Sequence, residues 1–155
     1  MHRLTPTARC LSVAFLTVLP GIVAADYRGD IGYTKLQQEL GAALPNGTGI
    51  RVTQVEGTEK VNGQDAWFPD PANAEFVGKT ITNASGAPAG LYSSHATSVG
   101  GSFYGSQRSI APGVTNIAAF SANDWMGGGA LWTVVGSGGS RPLASTSRVA
   151  NHSYV

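Results

Sequence analysis

Among the residues able to do chemistry, His95 has the most telling surroundings, in the run Leu91-Tyr92-Ser93-Ser94-His95-Ala96-Thr97-Ser98-Val99-Gly100-Gly101. An imidazole titrates near neutral pH and can shuttle a proton, provided a carboxylate orients it and stabilises its charged form. A candidate carboxylate is Glu56, which ends the stretch Val52-Thr53-Gln54-Val55-Glu56-Gly57. Small residues crowd around His95, as a helix start requires when it must lie close to other backbone. Without further context, each residue has a plain alternative: His95 as a satisfied core histidine, Glu56 as a solvated acid at a strand end. His152, the other histidine outside the N-terminal segment, is expected to be structural or to form a wall of a cleft.

The elements that would position these residues can be read from the spacing. Ile50 to Glu56 alternates apolar and polar residues with β-branching, which predicts a strand ending on the acid. His95 to Phe103 predicts a small-residue helix with Val99 buried. Thr115 to Ser121 and Arg148 to Tyr154 predict two further strands, with a weak helix over Trp125 to Val135 and a flexible Gly/Ser loop over Gly136 to Ser147. Upstream, Asp26 to Gly32 reads as an extended arm, and Tyr33 to Leu44 as an amphipathic helix capped by Thr34. Residues 57–90 read as long surface loops with one short strand around Thr80 to Thr82. Strand, helix, strand, helix, strand predicts an α/β fold with a parallel sheet, in which sites form beyond the carboxyl ends of strands. Glu56 stands at such an end.

The His95 segment resembles the histidine motif of subtilisin-like serine peptidases, Ser/Gly-His-Gly-Thr-x-Val-Ala-Gly. Ser94, His95, Thr97, Val99 and Gly101 match, while Ala96 and Gly100 exchange alanine and glycine at two small positions. Two neighbouring stretches support the resemblance. Ile110-Ala111-Pro112-Gly113-Val114, followed by Asn116 to Phe120, looks like the family's Val-Ala-Pro turn and next strand. Arg148-Val149-Ala150-Asn151-His152-Ser153-Tyr154 looks like its Val-Ile-Asn-x-Ser strand. The resemblance spans roughly residues 34–155 and leaves the loop 57–90 unexplained. It implies a partial three-layer subtilisin-like fold, with His95 as the proton shuttle and Glu56 in the position where the family carries aspartate. The glutamate's extra methylene, about 1.5 Å of reach, requires the strand end or the histidine to sit differently. The family's Gly-Thr-Ser-x-Ala/Pro nucleophile motif is absent, and so is its Ala-x-Gly-Asn oxyanion pattern. Gly136-Ser137-Gly138-Gly139-Ser140 only faintly resembles a nucleophile motif, and Ser94 is poorly placed beside His95.

These readings together give the N-terminal part of a secreted endopeptidase domain over residues 26–155, truncated before its serine and inactive alone. Its partner would be a protein or peptide substrate. A non-catalytic secreted relative used for binding is the alternative, with an unrelated α/β binding module behind it. Residues 1–25 have the order of a signal peptide: basic His2, Arg3 and Arg9, the apolar run Leu11 to Leu19, then Val23-Ala24-Ala25. This implies a secreted or periplasmic location and no membrane association after its removal. The rest then has eight basic and nine acidic residues and no cysteine, since Cys10 lies within the leader. That excludes a disulfide framework or a thiolate nucleophile, and no charge excess favours nucleic acid. No cofactor is expected; Asp65, Asp70 and Glu75 are the acids that could hold a structural calcium. Asn46, Asn83 and Asn151 each begin a short glycosylation sequon.

Overall fold

A computed structural model describes residues 27–127, 132–135, 139–142 and 146–154. The expected signal peptide at 1–25 and Ser137 lie outside the described residues. Four strands, β1 (Arg51–Glu56), β4 (Thr80–Asn83), β5 (Asn116–Ser121) and β8 (Val149–Ser153), form one sheet in the order β4-β5-β1-β8. All three pairings are parallel. The α/β expectation therefore holds. Two short antiparallel hairpins stand apart from this sheet: β2 (Glu59–Val61) with β3 (Gln64–Ala66), and β6 (Trp132–Val135) with β7 (Gly139–Pro142).

β1 is a central strand, and this alters the reading of its alternation. Five of its six residues are buried, so its polar side chains do not face water. Successive side chains project to opposite faces. Val52 joins Phe76, Tyr104, Val114 and Ile117 on one face, against helix α3 (Ser94–Tyr104). Val55 joins Ala122 and Trp125 of α4 (Ala122–Gly127) on the other. Thr53, on the α4 face, donates its hydroxyl to Ser147 Oγ at 2.8 Å. Gln54 and Glu56 lie on the α3 face with Val52.

α3 begins where the small residues predict. Its N-cap is Ser93, whose Oγ accepts from the Ala96 N–H at 3.0 Å. Its buried face consists of Ala96, Gly100, Gly101 and Tyr104, while Val99 is only half-buried. Glycine is needed at 100 because a β-carbon there would come 2.7 Å from Tyr104 Oη.

Several local expectations are corrected. Residues 27–30 form a short helix, α1 (Tyr27–Asp30), instead of an extended arm. α2 (Tyr33–Leu40) starts after Gly32, in a left-handed conformation (φ 78), and receives no side-chain cap. The helix expected over Trp125 to Val135 ends at Gly127, and the β6–β7 hairpin replaces its second half and part of the Gly/Ser loop. The loop 57–90 contains the β2–β3 hairpin, a 3-10 turn at Ala74–Phe76 and β4. Among the described residues no helix is long and apolar enough to cross a membrane.

Candidate functional site

The chain runs from β1 out to β4, returns through β5 beside β1, then crosses to β8 on β1's other side. The crevice at the carboxyl end of β1 is thus a topological switch point, the usual ligand position in open parallel sheets. Glu56 sits there, fully buried, in register with Ser121 of β5 and Ser153 of β8. The first turn of α3 lies over it and brings His95 Nε2 to 3.4 Å from Glu56 Oε2. The two residues singled out in the sequence are therefore brought together, across 39 positions of chain.

The ring nitrogen that faces the acid is Nε2. The family resemblance implies a carboxylate on Nδ1, whereas Nε2 faces Glu56. The contact is close enough for charge attraction, yet Oε2 makes no hydrogen bond of good geometry there. The other carboxyl oxygen, Oε1, accepts from Gln54 Nε2 at 2.8 Å.

Burial pushes the Glu56 carboxyl up to about 7, against smaller lowering effects from the Gln54 hydrogen bond and the His95 charge. With a single donor, the carboxylate is under-solvated in its charged form. The acid therefore changes protonation near neutral pH, where imidazoles also do.

His95 itself is half-exposed, with 56% of its side chain open to solvent. It faces a cleft of about 590 Å³ lined by Gly57, Thr58, Glu59, His152, Ser153 and Tyr154 as well. A second cleft, of about 430 Å³, adjoins the other side of the histidine, with Ser98, Val99, Ser102, Phe103 and Asn151 in its wall. His152 is a cleft wall, as one of its two expected roles had it. Its Nδ1 lies 2.9 Å from Tyr154 Oη, and its ring meets Trp125 edge to face at 5.7 Å.

Three residues of the site escape sequence reasoning. Glu59 Oε1 accepts from His95 N and Ser94 Oγ, each at 3.3 Å, and so anchors the helix start that carries the histidine. The hydrogen bond from Ser93 lowers its carboxyl most; burial opposes this, and weaker hydrogen bonds from His95 and Ser94 lower it further. Gln54 and Tyr104 form a buried chain behind Glu56. A signal existed for Gln54, which lies two residues before Glu56 and therefore on the same strand face.

The acids considered for calcium are engaged elsewhere. Asp65 pairs with Lys60 at 2.9 Å, Asp70 Oδ1 accepts from Ala72 N, and Glu75 takes Gln107 N, Arg108 N and Arg108 Nε. Among the described residues no group of three or more His, Cys, Asp or Glu is placed to hold a metal ion. Comparison of the chain with known protein families, curated proteins and solved structures found no match.

Proposed function

We propose that this chain carries the acid and histidine of a subtilisin-like serine peptidase, with Glu56 as acid and His95 as general base. The observation that carries the reading is the Glu56–His95 contact at 3.4 Å, at the carboxyl end of the central parallel strand and open to a cleft. The His95 motif and the two downstream stretches that resemble the family add to it. In this reading a serine hydroxyl attacks the carbonyl carbon of a peptide bond while His95 takes its proton. The histidine returns that proton to the leaving amine, and water then hydrolyses the serine ester by the same route. Because Nε2 is turned to Glu56, the ring nitrogen that exchanges protons with serine is Nδ1. Neither the family's nucleophile motif nor its oxyanion motif occurs in these 155 residues, so this reading requires both groups to be supplied from elsewhere.

A second reading, a secreted binding domain of the same ancestry, is favoured by the near-neutral Glu56. An acid half-protonated at neutral pH stabilises an imidazolium less than a fully charged one. Serine-directed labelling separates the two. A fluorophosphonate probe should leave the 155-residue chain unlabelled and without peptidase turnover. The product of a longer reading frame should be labelled, and His95→Ala should abolish that labelling. A folded longer product that binds peptides but takes no label would sink the peptidase reading.

A further inference from the structure

We propose that Gln54, locked by Tyr104 and the Ala96 carbonyl, is the positioning residue that assigns the two oxygens of Glu56, giving Oε1 to the strand and Oε2 to His95. Three contacts carry this. Gln54 Nε2 donates to Ala96 O at 2.9 Å and to Glu56 Oε1 at 2.8 Å, while Gln54 Oε1 accepts from Tyr104 Oη at 2.5 Å. All three side chains are fully buried.

The orientation of the amide follows from the partners. A backbone carbonyl can only accept, so the Gln54 atom facing Ala96 O must be the nitrogen. Its second hydrogen then points at Glu56 Oε1, which must accept in either protonation state. Tyr104 fixes the far end: burial, then the Glu56 charge, push its phenol well above the usual range, so it stays protonated and donates. Turning the amide over would set two acceptors against each other at Ala96. With one lone pair of Oε1 taken by Gln54 and none of Oε2 taken, the oxygen better able to carry a proton on Glu56 is Oε2, beside His95 Nε2. A proton on that oxygen therefore faces His95 Nε2, 3.4 Å away.

The neighbourhood supports a dedicated arrangement. A β-carbon at Gly100 would collide with Tyr104 Oη, so the glycine that departs from the resembled motif is the one that leaves room for the phenol. On α3, the His95 charge acts on Glu56, and the Glu56 charge acts on Tyr104. Its register neighbours on β5 and β8 are Ser121 and Ser153. Glu59, His152 and Tyr154 line the adjoining cleft.

The inference rests on the Glu56–His95 reading, but its test requires no nucleophile. In the isotopically labelled chain, the Glu56 carboxyl carbon is followed against pH, and the His95 ring nitrogens report where the proton sits. Gln54→Leu removes the donor to the charged form and should raise the Glu56 midpoint by about one pH unit. Tyr104→Phe keeps the ring, removes the hydrogen bond that holds the far end of the amide, and should move the midpoint the same way by a smaller amount. In both variants the His95 nitrogen signals should lose their dependence on the Glu56 titration. Ile117→Val, in the same apolar cluster, should lower the melting temperature by a few degrees and leave both signals in place. Should Gln54→Leu fail to fold, Tyr104→Phe alone decides. The proposal is overturned if the relay variants move the midpoint no more than Ile117→Val does. If coupling is found but the longer product takes no fluorophosphonate, the positioning role stands and the peptidase reading falls.

Discussion

Two glutamates are buried in this protein, in opposite company. Glu75, in the 3-10 turn beside the α3–β5 connection, takes two backbone N–H groups and the Arg108 guanidinium. Its charge is matched on every side, and the loop 105–108 is organised around it. Glu56, at the end of β1, has one amide donor on one oxygen and an unbonded second oxygen turned toward a half-exposed histidine. Burial is common to both; the number of donors separates them. A carboxylate supplied with donors serves the fold, whereas one left short of them is kept ready to change protonation.

The sharpest way to break this contrast is to remove each carboxylate. Glu75→Ala should cost about 3 kcal/mol in urea unfolding, because it leaves the loop N–H groups and the arginine without their acceptor. A loss under about 1 kcal/mol would mean that Glu75 is not the organising group it is taken for.

A comparable effect with a distinct pH signature is expected for Glu56→Gln. The folded state holds the Glu56 proton up to about pH 7, against an ordinary value of 4.5. Its contribution is thus fully present below 4.5 and is lost as pH rises through 7. Relative to the variant, the wild type should lose about 3 kcal/mol of stability between pH 4.5 and 8. Parallel pH–stability curves for the two proteins would remove the basis for the contrast.

Glu59 should show the opposite sign and a smaller size. Its carboxyl is held below the ordinary value, so its contribution is present near neutral pH and is lost under acid conditions. Glu59→Gln should cost about 0.5–1 kcal/mol at pH 7, as expected for a half-buried acid against a helix start, with little difference at pH 3. The Lys60–Asp65 pair, both members largely exposed, sets the lower end: Lys60→Ala should change stability by less than about 0.5 kcal/mol.

The two glutamates also mark how far the sequence could be read. β1, α3, β5 and β8 were legible, because β-branched runs and a small-residue helix start are local signals. The Glu56–His95 meeting was legible through its resemblance to a known motif. The role of Glu75 was not, since its partners come from residues 107 and 108, more than thirty positions away. Gln54 was missed for a related reason. An alternating strand reads as one face in water, but β1 is flanked by β5 and β8 and covered on both faces, and only the non-local pairing reveals this. The β6–β7 hairpin was missed because Gly127 to Gly129 reads locally as an interruption in a weak helix, whereas the strand character of β6 comes from its pairing with β7 further along the chain.

The most direct test of the account is the protonation of Glu56 itself. The carboxyl carbon of Glu56, followed by NMR against pH in the folded chain, should titrate with a midpoint near 7. A midpoint at its ordinary 4.5 would show a fully charged acid and would contradict the account of Glu56 as a buried carboxylate left short of donors beside His95.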